Sequence, residues 1–266
     1  MGSAASPCTH RLSHRTGLPG PIDCRSTVGW APSLQILAVF VSAIDDPMEN
    51  VIKRVILIAI SLPLLMLAIH TVIRVVRHFY KFPMPQFLAN LIDNPLRRRI
   101  QPPDTTPIRH GVEPGMLVLE VGPGNGRYTL STAERLGDRG QLVTVDIESK
   151  MIQRVNTRAA AAGMANIAGL VADVYQLPFK EKQFDLIYLI AVIGEIPRPD
   201  EALLEFKRVL SETGSLVFSE LIFGPDYPRA GTLIRKAAAV GYRLETVIGN
   251  IVYYTLRFEK DVSKTP

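Results

Sequence analysis

The sequence predicts an α/β fold: a mostly parallel seven-stranded sheet, doubly wound, ending in an antiparallel hairpin and preceded by one membrane-spanning helix. Three observations carry this. From Ile108 to Glu259 strand-like and helix-like segments alternate with short links, the pattern of a parallel sheet covered by helices on both faces. Near the start of that region an apolar run, Met116 to Val121 broken only by Glu120, enters a turn holding Gly122, Gly124 and Gly126, and a helical pattern opens at Arg127. The last two strand-like segments, about 243–249 and 251–259, are joined only by Gly249-Asn250. That link is too short for a crossover and requires a hairpin.

Taken in order, residues 1 to about 33 are rich in Ser, Pro, Gly, Thr and Arg without a period and read as disordered; the leader as a whole runs over 1–50. Leu34 to Ile44 is an 11-residue apolar run in which Val41-Ser42-Ala43 resembles a signal-peptidase site, although Arg25 is distant for an n-region. The rival reading starts translation at Met48, which leaves 1–47 outside the native protein.

Segment 51–81 holds the span. Val55 to Ile73 is 19 residues without a formal charge, apolar on every side. As a helix it is roughly 28 Å long, about one hydrocarbon thickness. Pro63 near its middle is tolerated in a bilayer. Lys53 and Arg54 precede the run, whereas Arg74, Arg77, Lys81 and Arg97 to Arg99 follow it, so the positive-inside rule puts everything after the helix in the cytoplasm. Residues 82–107 form a connector. Phe87, Leu88, Leu91 and Ile92 make a short amphipathic pattern there, read either as a helix packed on the domain or as an interfacial lid, and Pro102, Pro103 and Pro107 mark its end.

The main domain spans 108–260, followed by a tail at 261–266. After the first strand–turn–helix unit come strand Gln141 to Asp146, helix Ser149 to Ala162, and strands Ile167 to Ala172 and Asp185 to Ile190. Helix Pro199 to Leu210, strand Ser215 to Glu220, helix Ala230 to Val240 and the hairpin complete it.

Charge and cysteine content narrow the function. Net charge is +5 and mean hydropathy +0.16, high for a soluble chain. Eight Lys and Arg stand against Asp93 alone between Lys53 and Pro103, so the basic character belongs to the flanks of the apolar helix. Anionic lipid headgroups are the expected partner of such a cluster. Nucleic acid is not, because the glycine-loop half has neither a basic stripe nor an aromatic platform. Cys8 and Cys24 lie in the leader, and the five histidines (10, 14, 70, 78, 110) show no H-x-x-x-H spacing with a nearby acid, so no metal site is expected.

The glycine turn is where ligands bind in such sheets: glycine lets backbone approach, and the next helix presents free N–H groups. Asp146 ends the second strand 20 residues after Gly126. A carboxylate there accepts both hydroxyls of a ribose, unless it caps the helix at Ser149, and Ile147 would lie flat on an adenine ring. Dinucleotide enzymes share that acid, but their G-x-G-x-x-G loop needs a small residue where Arg127 stands. This chain reads E-x-G-x-G-x-G from Glu120.

That stretch resembles motif I of the class I S-adenosylmethionine-dependent methyltransferases. The resemblance implies the class I methyltransferase fold, a loop around the methionine end of S-adenosyl-L-methionine, and Glu120 holding its ammonium. It further implies that Asp173, in GLVADVYQLPF, accepts from the adenine amino group while the backbone of Val174 meets the ring edge. Phe184 to Glu220 resembles the family's fourth-strand, helix and fifth-strand block. The likeness covers about Ile108 to Glu259 and is nearest the small-molecule and lipid/quinone group. Two departures stand out: Glu195-Ile196 replaces a Glu-His pair, and Thr213-Gly214 replaces Gly-Gly.

Aligning acceptor and sulfonium supplies up to ~7–11 kcal/mol of such a reaction. A base is needed only where the acceptor loses a proton in the transition state. Weak candidates are His110, Tyr188, Glu195 and Tyr227; each has a structural alternative, as a loop residue, a residue packed under the sheet, a local cap and a turn residue respectively. The expected function is methyl transfer to a small hydrophobic acceptor (lipid, quinone or isoprenoid-like) by a single-pass membrane protein whose catalytic domain faces the cytoplasm. An NAD(P)-dependent oxidoreductase and a non-catalytic membrane-anchored scaffold are the alternatives.

Overall fold

The computed structural model describes residues 47–79, 99–222, 224, 226–261 and 263. The chain divides into two units, Met1–Leu64 and Leu65–Pro266. The expectations for the leader and for 82–98 of the connector fall outside the described residues.

Helix α1, Pro47–Phe79, is continuous through Pro63 and longer than the uncharged run. Within it Met48–Val76 is long and apolar enough to cross a membrane, by length and composition alone. Its large side chains are exposed, Leu57 at 67% and Leu67 at 62% among them. Lys53 and Glu49 pair at 2.7 Å, one turn apart.

The second unit is built on seven strands: β1 Leu117–Val121, β2 Gln141–Asp146, β3 Ile167–Val171, β4 Phe184–Ile190, β5 Leu210–Leu221, β6 Tyr242–Gly249 and β7 Tyr253–Lys260. Their order is β3-β2-β1-β4-β5-β7-β6. All neighbours through β5 run parallel, and β7 lies antiparallel to both β5 and β6. The helices are α2 Thr106–His110, α3 Arg127–Leu136, α4 Ser149–Ala161, α5 Pro199–Val209 and α6 Ala230–Ala239.

Alternation along the central strands creates two cores. Val118, Leu142, Leu186, Tyr188 and Val217 pack with Ala133 and Leu136 of α3. The residues between them (Leu119, Val143, Ile187, Leu216, Phe218) point the other way, into a larger core with Phe206 of α5 and Leu233 of α6. β1, buried on both faces, is the apolar run the sequence displayed; Glu120 is its one ionisable side chain and is 3% exposed.

Two details differ from the sequence reading. β5 begins at Leu210 rather than Ser215, because residues from the end of α5 onward are already extended and Phe184 of β4 pairs with Leu210. The hairpin turns through 250–252 rather than Gly249-Asn250. Gly249 takes φ +107, and Asn250 Oδ1 accepts the N–H groups of Val252 (2.9 Å) and Tyr253 (3.3 Å), replacing ladder bonds at the turn.

Candidate active site

The chain winds outward from β1 to β3, then returns to β4 on the other side of β1, so the order reverses at the β1/β4 boundary. A crevice must open beyond the carboxyl ends of the strands at such a point, because the connections leave in opposite directions. A cavity of about 420 Å3 lies there, lined by the segments that follow β1, β2, β3, β4 and β5.

At the end of β1 the backbone turns through Gly122 (φ +70) and Gly124 (φ +56), both lining the cavity. A Cβ on Gly122 would meet Val192 Cγ2 at 2.5 Å, whereas one on Gly124 would meet nothing within 4 Å. Gly126 (φ +74) is the residue before α3 and is buried against Val155 rather than lining the cavity. The loop is held from outside by Arg158, which donates to the Asn125 carbonyl at 2.5 Å.

Glu120 sits beneath the loop. Thr129 donates to its carboxylate at 2.6 Å, and its strand neighbour Tyr188 stands beside it. Burial pushes the Glu120 carboxyl up to about 7, against the pull of the Thr129 hydrogen bond. A buried acid that costs this much to ionise is ready to be discharged by a cation.

Asp146 closes β2 and accepts the Glu148 N–H at 2.9 Å, organising the turn into α4; burial raises its carboxyl above the usual range. The helix cap is Glu148, with no side-chain cap, so Asp146 serves the turn and not the helix end. Ile147 beside it is 62% exposed, an apolar surface at the cavity wall. Asp173 follows β3 and accepts the Tyr175 N–H at 3.0 Å, with Val174 next to it. Glu120, Gly122, Gly124, Asp146, Ile147, Asp173 and Val174 thus converge on one cavity.

The four candidate bases separate. Glu195 and Tyr227 line the cavity; His110 and Tyr188 are fully buried and do not. Tyr188 donates to Thr132 at 3.2 Å. His110 Nε2 lies 2.8 Å from Ser219 Oγ, and burial, with Arg257 and Arg109 nearby, lowers its pKa to about 3. Tyr227 donates to the Ile251 carbonyl at 2.7 Å, and burial raises its pKa.

Several lining residues escaped the sequence reading. Glu220 at the end of β5 is 2% exposed, and Asp226 approaches Gly194 so closely that a side chain there would strike its backbone carbonyl. Ala191 after β4 holds φ +58, a strained value for a residue with a Cβ, fixed by its N–H to the Ser219 carbonyl at 2.9 Å. Only the pairing of β4 with β5 brings these residues together; a Gly in the loop after β4 was the one available signal.

The residues present suit a cationic nucleoside donor: open backbone at Gly124, a buried acid under the loop, and carboxylates after β2 and β3 for sugar and base. Among the described residues no group of three or more metal-ligating side chains occurs.

Comparison with known proteins agrees. A family model described as a methyltransferase domain matches residues 119–218. The chain is 34% identical over 118 residues to the ubiquinone/menaquinone biosynthesis C-methyltransferase UbiE of Shewanella frigidimarina, covering 42% of this chain and 47% of that protein. It is likewise 34% identical over 110 residues to the enzyme of that name from Laribacter hongkongensis, covering 41% and 45%. The chain therefore spans about half the length of the curated relatives it matches. In fold it is similar to a SAM dependent methyltransferase from Aquifex aeolicus (TM-score 0.62, 19% identity, 66% of this chain and 98% of that one). The PH0226 protein of Pyrococcus horikoshii is also similar (TM-score 0.53, 19% identity, 64% and 93%). Residues 119–218 thus match the methyltransferase-domain family, on a sheet similar in fold to that of a SAM dependent methyltransferase.

Proposed function

We propose that this protein transfers a methyl group from S-adenosylmethionine to a small, uncharged, hydrophobic acceptor of quinone or lipid type at the cytoplasmic face of a membrane. In this reading 108–260 is the catalytic domain, 51–81 anchors it, and 82–107 connects the two. The observation that carries the proposal is the convergence of Glu120, Asp146 and Asp173 on one cavity at the reversal of strand order. The similarity to UbiE proteins supports a quinone-like acceptor, and the apolar helix Met48–Val76 supports a membrane site.

When bound, the donor supplies an activated methyl on a sulfonium. Glu120 neutralises its ammonium, Asp146 accepts from the ribose hydroxyls, and Asp173 and the Val174 backbone read the adenine edge against Ile147. Isothermal calorimetry of the full chain with S-adenosylhomocysteine and with NADH tests the donor. Binding of the first and none of the second is expected; the reverse would establish the oxidoreductase alternative. Lipid extract incubated with the protein and radiolabelled S-adenosylmethionine tests the acceptor, with label expected in the organic phase. A variant truncated before residue 83 that methylates a soluble polar acceptor equally well would overturn the membrane role.

A further inference from the structure

The donor-side acids lie within β1 (Glu120), at the end of β2 (Asp146) and after β3 (Asp173). The cavity continues to the other side of the strand reversal, where β4 and then β5 end. β5 lies two strand spacings from β1, about 10 Å across the sheet. An acceptor that meets the methyl from the far side therefore rests over β4 and β5.

At that end stands Glu220, on a strand rather than a loop, paired with Tyr254 of β7 and almost fully buried. The rings of Tyr227 and Tyr254 lie 5.5 Å apart, and both are close enough for the Glu220 charge to oppose their ionisation. Neither phenol serves as a proton acceptor: Tyr227 donates to the Ile251 carbonyl and Tyr254 to the Pro228 carbonyl, which fixes the rings and occupies their protons. Among the described lining residues the acids outnumber the bases seven to one, Arg127 being the single base. Arg74 donates to the Ile222 and Gly224 carbonyls at this end and offsets part of that field, but the balance stays acidic, so an acceptor bearing a carboxylate or phosphate would enter against it.

Resting on the proposed methyl transfer, we infer that Glu220 is the acceptor-side carboxylate: it accepts a hydrogen bond from the hydroxyl of an uncharged aromatic acceptor, a phenol or hydroquinone, and takes that proton as the methyl moves. The acceptor's nucleophilic atom, the hydroxyl oxygen or a ring carbon conjugated with it, bonds to the methyl carbon. The carbon–sulfur bond breaks and its electron pair stays on sulfur. The hydroxyl proton passes to Glu220. The sulfonium's positive charge and the carboxylate's negative charge disappear together, and the methylated acceptor leaves the step neutral.

The test uses the full chain saturated with S-adenosylhomocysteine and titrated with 1,4-naphthohydroquinone, kept reduced, or with its 1,4-dimethyl ether. Wild type is expected to bind the hydroquinone about tenfold more tightly than the ether, and Glu220→Gln, whose amide oxygen still accepts but carries no charge, to reduce that preference to about two- to threefold. Glu220→Gln should lower methyl transfer to the hydroquinone by ~100-fold, with Glu220→Asp restoring part of it. Affinity for S-adenosylhomocysteine should stay unchanged in both variants. Equal binding of hydroquinone and ether by wild type, binding of neither, or full turnover by Glu220→Gln overturns the assignment while leaving the donor site standing. No binding of S-adenosylhomocysteine by wild type would overturn the methyltransferase reading itself, and this inference with it.

Discussion

Thr129 Oγ1 donates a 2.6 Å hydrogen bond to Glu120 Oε2, tying the first turn of α3 to β1 directly beneath the glycine loop. Burial still holds the Glu120 carboxyl at about 7, above its ordinary 4.5, so it keeps a proton in mildly acidic solution when no cation is near. A cationic donor favours the ionised form. Affinity for S-adenosylmethionine is therefore expected to fall as pH drops below 7, with proton release on binding; calorimetry in buffers of different ionisation heat measures both. Linkage fixes the sign for the free protein as well: the native state binds more protons than the unfolded chain between pH 4.5 and 7, so stability is lost as pH rises through that window, by about 3 kcal/mol in order of magnitude. Thermal melts should show this loss in wild type and not in Glu120→Gln.

Asp146 spends one oxygen on the Glu148 N–H at 2.9 Å and faces the cavity edge. Asp146→Ala is expected to weaken donor binding by roughly 1.5–3 kcal/mol through loss of a charged hydrogen bond. Titration with S-adenosylhomocysteine measures it, and unchanged affinity would refute the ribose role.

Gly124, at φ +56 with open space around its α-carbon, tolerates a side chain only at the donor's expense. Gly124→Val should leave a folded domain, destabilised by about 1–3 kcal/mol of backbone strain, that no longer binds the donor. Circular dichroism separates the two effects, and normal turnover would remove the loop from the site.

His110, 2.8 Å from Ser219 and outside the cavity lining, is expected to act on stability and not on chemistry. Its pKa of about 3, against an ordinary 6.5, means that the unfolded chain takes up the proton first. Its contribution is present above pH 6.5 and is lost as pH falls toward 3. His110→Gln should flatten the acid side of the unfolding curve while leaving the pH dependence of methyl transfer in place.

Much of this was legible without coordinates because it depends on neighbours in the chain. A strand buried on both faces has to be a short apolar run, a turn with three positive-φ positions has to be glycine-rich, and two strands separated by a few residues have to be antiparallel. Those constraints located β1, the loop and the hairpin, and the chain order of Glu120, Asp146 and Asp173 followed from strand ends. The length of β5 was not legible, since Leu210 is extended by pairing with Phe184, which lies 26 positions away.

By itself, then, the sequence determined which strand carries the glycine turn and that acids stand at or near the carboxyl ends of β1, β2 and β3, because backbone sterics and burial act over a few residues. Tertiary structure alone decided that Glu195, Glu220 and Tyr227 share that cavity while His110 and Tyr188 do not. Strand order and facing are set by long-range pairing, and a side chain one position along a strand points to the opposite side of the sheet.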